Sequence, residues 1–517
     1  MKITYATMSA DNEELHAAYE RGLETARSWL GQDHPLFIDG DRRWTDERFE
    51  ERSPIDVDIV VGRYSQGSEQ DVADAVAAAQ AYFPTWAATP WKERVALMRR
   101  AGDLMEERTP ELAALVAIEV GKSRLEALGD VAETVEFFRY YASQMERHDG
   151  FVIELGKLSD AEENVSVLRP YGVWGVISPF NFPMALAAGP SIAALLTGNT
   201  VVLKPSNTGA FAALKFYELM RDVGLPAGAL HVVTGGDETG AALVRNRDVD
   251  GMTFTGSYEV GMGIYTRFAT DRPKPVICEM GGKNPAIVTA TADLDVATDG
   301  VLRAAFGYSG QKCSACSRVY VERPVYEAFL DALVDKTERI TVGNPLERDV
   351  FMGPVIDEAA VQRFREAVAE VESRGGRILV GGHVLTDGEY AKGHYVEPTV
   401  ATVTEDSWVW KRELFVPFVV VAAVDTLDEA IAKANDTPFG LTAGLFAGTE
   451  AEIDRFFERI EAGVTYVNRR AGATTGAWPN IQSFGGWKGS GTSGAGGGGP
   501  WYLRQYLREQ SRTVVGE

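Results

Sequence analysis

The chain has 517 residues, 45% of them hydrophobic and 24% charged, the balance of a globular protein with a sizeable core and room for roughly two to four domains. With 51 basic against 74 acidic residues the formal net charge is −23, which argues against nucleic acid, a partner that rewards basic surfaces. The longest apolar runs, such as Ile192 to Leu196 and Phe418 to Val424, are core-sized and fall short of the roughly 18 residues of a membrane helix.

The acidity has two readings: a solvated surface that keeps the protein soluble, or adaptation to high salt, which screens repulsion between dense carboxylates. The opening stretch MKITYATMSADNEELHAAYERGLETARSWL lacks the basic start and apolar core of a secretory signal. Its later part reads as an acidic amphipathic helix. A cytoplasmic location is the expectation.

From Ser68 to about Arg147 apolar residues recur at three- and four-residue steps, as in DVADAVAAAQAYFPTWAA and ELAALVAIEVGK, so the segment is expected to be helical. Residues 151–170 then read as two short strands around a polar turn. From Tyr171 short β-rich runs alternate with helices: YGVWGVIS, NTVVLKP, ALHVVTG, GMTFTG and KPVICEMGG. A second series comprises SRVYVE, a helix from Val325, GRILVGG, FVPFVVVAAV, LTAGLFAG and VTYVN. The pattern predicts two α/β domains, each around a largely parallel sheet, with a boundary near residue 300. The glycine-rich stretch Gly491 to Pro500 precedes a last strand-like segment, SRTVV.

There are three cysteines, Cys278, Cys313 and Cys316, too few and too odd in number for a disulfide framework. Cys313 and Cys316 form a CxxC pair without the second pair or the histidines of a zinc site, so no metal is expected. A redox pair is the rival reading. In FGYSGQKCSACSR small residues surround Cys313, letting backbone approach a ligand closely. At a pKa of about 8.5 only a few per cent of a free thiol is ionised at neutral pH, so a catalytic site must assist; a following helix N-terminus is one expected source. In CEMGGKNP the carboxylate of Glu279 stands beside paired glycines, a poor packing choice that suits a base on a loop. In SPFNFP, Asn181 is an amide donor fixed by prolines and aromatics, fit for a developing oxyanion. Lys204 ends VVLKPSN, placed for ribose hydroxyls or a phosphate. Gly256 and Ser257 end FTGS, where amides opening a helix favour a pyrophosphate. Neither segment is a GxGxxG fingerprint.

SPFNFP, VVLKPS, FTGS, CEMGGKNP, GQKCSACSR, KRELFVPF and SFGGWKGSG occur in this order over residues 170–491. Together they resemble the aldehyde dehydrogenase superfamily. The chain is most similar to its delta-1-pyrroline-5-carboxylate (glutamate-semialdehyde) dehydrogenases, on GQKCSACSR, the FFRYYA helix and SGT followed by a glycine-rich run and YL. The resemblance implies an α/β fold with a Rossmann-like cofactor domain (residues 1–150 and 171–300), a catalytic domain (301–490) and an oligomerisation arm (151–170 and 491–517) that makes a homodimer or larger assembly. It implies oxidation of an aldehyde to a carboxylate with NAD or NADP through a thioester on Cys313. Glu279 is then the base, Asn181 the oxyanion donor with the Cys313 amide, and Cys316 auxiliary. Lys204, Gly256, Ser257, Ser178 and Asn207 face the dinucleotide, with Glu413 and Phe415 at the nicotinamide ribose. Glu133, Phe182, Ser314 and Phe484 line the substrate site, and Gly498 and Gly499 offer amides to a substrate carboxylate. Asn207 stands where relatives often carry a glutamate that disfavours NADP, and Ser483 stands where a proline is usual. The loop AGATTGAWPNIQ fixes no unique aldehyde.

Overall fold

A computed structural model describes residues 12–471 and 478–516. The first eleven residues of the stretch read for a secretory signal, and residues 472–477 of AGATTGAWPNIQ, lie outside them. Helix Glu13–Trp29 is capped by the Asn12 side chain and buries Leu15, Tyr19, Leu23 and Ala26. Helix Glu69–Ala88 starts at a capping box in which Ser68 and Asp71 satisfy each other's backbone N–H groups. Helices Trp91–Glu107, Thr109–Val120 and Arg124–Arg147 follow, the last two separated where Gly121 takes φ 72°. The expected helical stretch is therefore four helices.

The first large sheet runs Val276–Glu279, Gly251–Thr255, Val173–Ile177, Thr200–Lys204 and Leu230–Val232 in parallel, with Leu36–Ile38 and Asp41–Arg43 antiparallel at its edge. Chain order reverses beside Val173–Ile177, so a crevice opens at the carboxyl ends that carry Ser178, Lys204 and Gly256. The second sheet runs Arg377–Val380, Thr399–Thr402, Phe418–Val424, Cys316–Glu322, Asn284–Val288, Thr442–Phe446 and Val464–Val467, all parallel except the first. Both sheets are covered by helices, which is why their strands are continuous apolar runs rather than alternating ones.

Two expected boundaries are corrected. Strand Asn284–Val288 pairs with Cys316–Glu322 in the second sheet, so the chain changes sheets at Gly281 and Gly282, not near residue 300. The helix Leu294–Phe306, counted with the first domain, follows that strand and packs on the second sheet's side. The arm is a three-stranded antiparallel sheet of Val152–Glu154, Glu162–Pro170 and Leu507–Val515. Residues 491–506 are not part of it. Thr492 is bonded to Cys278, and Tyr502 and Tyr506 are buried in the main core, where aromatic area outweighs strand pairing.

One buried acid pair holds the segment after Lys204. Glu51, in strand Arg48–Arg52, accepts the Gly209 N–H at 2.5 Å; Glu119 accepts those of Phe211 at 2.6 Å and Ala212 at 3.0 Å, at the start of helix Ala210–Asp222. Burial pushes both carboxyls up, Glu119 to about 8, so the pair retains a proton at neutral pH. The native state then binds a proton that an unfolded carboxyl loses at an ordinary value of 4.5. Stability is expected to fall as pH rises from there to about 8, and to level off beyond. Glu119→Gln keeps an acceptor for those amides and removes the titration. Its melting temperature should depend less steeply on pH across that window than the parent's, and an identical slope would show that the pair holds no such proton.

Candidate active site

Cys313 sits at the amino end of strand Cys316–Glu322, half-buried on a loop held from four sides. The Asn284 amide donates to the carbonyls of Cys313 (2.7 Å) and Ala315 (2.9 Å) while its oxygen accepts the Thr442 N–H at 3.0 Å. Gln311 accepts the Ile356 N–H at 2.8 Å, and the Ser309 hydroxyl donates to Gly353 O at 2.8 Å. Fully buried Arg318 donates to Lys283 O at 2.6 Å and Ala434 O at 2.9 Å, tying the loop's far end to the neighbouring strand. Tyr308 and Ser309 are both left-handed, at φ 50° and 55°, so the turn before Cys313 is strained backbone held by these bonds. All three cysteines are free thiols.

Glu279 ends strand Val276–Glu279 of the other sheet and lines the same pocket as Cys313. Both its carboxylate oxygens are buried without a hydrogen-bond partner, and burial pushes the group up to about 8. Burial, then the carboxylates of Glu413 and Glu279, push the Cys313 thiol up, while the backbone N–H of Ser314 acts the other way. No helix follows Cys313. The chain turns directly into a strand, so the expected help from a helix N-terminus is absent.

The pocket brings together Cys313, Glu279, Glu133, Phe182, Ser314, Phe484 and Gly498 of the anticipated residues. Its remaining walls, Phe137, Tyr141, Leu186, Trp478 and Tyr502 among them, make it chiefly aromatic. Glu133 is pushed up to about 8 by burial and by Asp130, so it faces the pocket as a neutral acid at pH 7. Asn181 is buried directly before Phe182 but is not itself part of the wall. Gly499 is also outside it. The expected carboxylate anchor differs: the Gly498 N–H donates to the Tyr141 hydroxyl at 3.0 Å and the Gly499 N–H to Gly496 O at 3.2 Å, so both amides already have acceptors. A surface groove lined by Glu14, Glu106 and Arg139 lies away from this chemistry and holds no nucleophile.

Beside this pocket the crevice of the first sheet carries polar atoms that fit a dinucleotide. The Ser178 hydroxyl and the Asn207 carbonyl oxygen are buried without partners. Burial pulls Lys204 down to about 8, against the opposing pull of Asp237. Ser257 caps helix Tyr258–Arg267, whose N-terminus faces outward, whereas the Gly256 amide is already donated to Glu279 O at 3.1 Å. Glu413 accepts the Gly282 N–H at 2.9 Å and is pushed up to about 7 by burial. Phe415, left-handed at φ 57°, meets Phe180 edge-on at 5.9 Å across the cleft. Among the described residues no group of three His, Cys, Asp or Glu side chains is arranged to hold a metal ion. Asn284 and Arg318 lay inside motifs singled out from the sequence, and a buried amide and guanidinium beside a cysteine were the signal for their role. Phe137 and Tyr141 lie in the FFRYYA helix, where aromatic residues read as core, and Trp478 lies in a loop whose composition gave it no role.

The model of the aldehyde dehydrogenase family matches residues 42–512. The chain is 39% identical over 505 residues to a 1-pyrroline-5-carboxylate dehydrogenase of Anoxybacillus flavithermus, covering 96% of this chain and 95% of the relative. It is 39% identical over 504 residues to the enzyme of that name from Bacillus mycoides, covering 96% of each. The structure of 1-pyrroline-5-carboxylate dehydrogenase from Thermus with bound NAD superposes with a TM-score of 0.93 at 33% identity, over 98% of this chain and 97% of that one. A betaine aldehyde dehydrogenase from Staphylococcus aureus in complex with NAD+ superposes with a TM-score of 0.89 at 27% identity, over 96% and 97%. With Cys313, Glu279 and the crevice of the first sheet meeting between two parallel sheets, this chain belongs to the aldehyde dehydrogenase family.

Proposed function

We propose that the chain oxidises L-glutamate γ-semialdehyde, the open form of 1-pyrroline-5-carboxylate, to glutamate with a nicotinamide dinucleotide. The observation that carries the proposal is the shared pocket of Cys313 and an unpartnered Glu279, joined to full-length similarity with relatives of that name. The short polar substrate is recognised by the neutral acid Glu133 and by Ser314, between walls that include Phe137, Tyr141 and Phe182.

Glu279 in its ionised form first draws the thiol proton from Cys313 and passes it to solvent before the thioester is hydrolysed. The thiolate sulfur bonds the aldehyde carbon, and the Asn181 amide with the Cys313 N–H stabilises the resulting alkoxide. A bound nicotinamide supplies the acceptor for the hydride that leaves this carbon. Lys204, Ser178 and Asn207 would hold the adenosine side, the helix opened by Ser257 the pyrophosphate, and Glu413 and Phe415 the nicotinamide ribose. Glu279, ionised again, then takes a proton from water, whose oxygen bonds the thioester carbon; the carbon–sulfur bond breaks, the carboxylate is released, and the Cys313 sulfur recovers a proton from Glu279.

A broader aldehyde range is the second reading, favoured by the Gly498 and Gly499 amides having acceptors already. A panel of glutamate, succinate and simple aliphatic semialdehydes or aldehydes separates the two.

The exposed arm carries Val152, Ile153, Leu155, Leu158, Val514 and Val515 open to solvent, an apolar edge that a second copy would cover. A homodimer or larger assembly is therefore part of the proposal, as is a reducing cytoplasmic setting that keeps the three thiols free. No helix among the described residues is long and apolar enough to cross a membrane.

Cys313→Ala should lose oxidation by about three orders of magnitude or more while keeping dinucleotide affinity, read by fluorescence quenching. Turnover surviving in that variant would remove Cys313 from its role. Glu279→Gln should accumulate the thioester, visible as an acyl adduct by mass spectrometry. In the parent, the rate of thioester hydrolysis should climb as Glu279 ionises and reach a plateau above about 8, because the base works only deprotonated. A flat single-turnover profile through that range would assign the base elsewhere.

A further inference from the structure

The helix Arg124–Arg147 presents Glu126, Asp130 and Glu133 at steps of four and three, hence on one face, and that face looks into the cleft between the two sheets. Glu133 reaches the pocket; the other two do not. Asp130 is fully buried and accepts the Ala185 N–H at 2.8 Å, at the start of the helix that follows Asn181 and Phe182. It also pairs at 3.1 Å with Lys122, whose side chain is equally buried. The Lys122 ammonium lies 3.5 Å from the Phe182 ring centre and 5.0 Å from that of Tyr308, in the strained turn before Cys313. Glu126, one turn earlier, accepts from the Lys312 ammonium at 2.7 Å, and Lys312 immediately precedes the nucleophile. A β-carbon on Gly307 would lie 3.1 Å from the Glu126 oxygen, so backbone closes around this second pair.

The geometry points to Glu126 and Asp130 as positioning residues that form a two-pronged clamp, setting the distance between the Cys313 sulfur and the Asn181–Phe182 segment across the domain cleft. One prong holds the loop of the nucleophile. The other holds the segment that carries the oxyanion donor and an aromatic wall. Both come from one rigid helix, so neither half can drift without breaking a buried, charge-assisted hydrogen bond. The inference rests on the thioester reading above.

The test is stopped-flow release of reduced dinucleotide from NAD and glutamate semialdehyde, alongside NAD affinity by fluorescence quenching and the melting temperature. Glu126→Gln should slow the first-turnover burst roughly tenfold to a hundredfold and leave NAD affinity within about twofold. In E126Q/K312M both charges are gone, so the melting temperature should return toward the parent's, since a neutralised buried pair costs little. The burst should stay slow. A double variant that regains both stability and burst would overturn the clamp, as would a loss of NAD affinity as large as the loss of burst. Glu126→Asp keeps the charge and shortens the reach, and decides the matter even if the double variant does not fold. It should remain slow, and a parental burst from it would mean that charge rather than spacing is what Glu126 supplies. A parent that forms no acyl adduct on Cys313 from NAD and glutamate semialdehyde, read by mass spectrometry after quenching, would sink the thioester reading itself, and the clamp with it.

Discussion

Between the side chain of Glu413 and the carbonyl of Cys313 there is room for backbone only. A β-carbon on Gly281 would lie 2.1 Å from a Glu413 oxygen, and one on Gly282 would lie 2.8 Å from Cys313 O. At this point the chain leaves the first sheet and enters the second. Glu279 stands at the carboxyl end of one strand and Cys313 at the amino end of another, in different sheets, and they face a common pocket because two residues without side chains let the strands pass so closely. Any side chain at either position would push Glu413 or the nucleophile loop aside. The placements of Glu279, Cys313 and Glu413 therefore depend on one steric allowance.

Burial also governs the charges of this pocket. Burial pushes Glu279 and Glu133 each to about 8 and Glu413 to about 7, and it pushes the Cys313 thiol up as well. Each unit of such a shift is about 1.4 kcal/mol of preference for the protonated form. The resting pocket is thus close to neutral, although it is built from acids. An aldehyde enters without meeting a fixed negative field, and negative charge appears only as the thiolate and then the alkoxide form. Those are the moments when preorganised donors act most strongly in a medium of low polarity.

Much of this was readable in advance, for physical reasons that also mark where reading stopped. The four helices after Ser68 carry the period of a buried face, and the valine-rich runs carry that of a sheet covered on both sides. Cys313, Glu279 and Asn181 stand in short motifs whose composition suits their chemistry and poorly suits packing. The domain boundary was misplaced because Asn284–Val288 looks like any buried strand, and only its partners show to which sheet it belongs. Tyr502 and Tyr506 look like arm residues by position, yet their rings are core. The strand behind Cys313 is legible in CSRVYVE, rich in β-branched and aromatic residues, and it leaves no place there for a helix N-terminus to assist the thiol. Lys312 and Glu126 are separated by 186 positions, and no local pattern couples them.

Stability alone does not account for ions where Lys122, Asp130, Lys312 and Glu126 stand. Apolar groups of similar volume at such sites are commonly as stable or more so, because charges lose much on leaving water. What an apolar contact lacks is direction: it tolerates sliding, whereas a charged hydrogen bond at 2.7 Å between Lys312 and Glu126 does not. Phe138 and Tyr141 of the helix that carries Glu126 also pack into the aromatic core, against Phe216 and Tyr502, and anchor it apart from the ions. Buried charge is thus concentrated where two sheets must keep a fixed relation across a cleft that has to admit both a dinucleotide and an aldehyde. Packing fixes each domain, and the ion pairs fix the one distance that packing across an open cleft leaves unset.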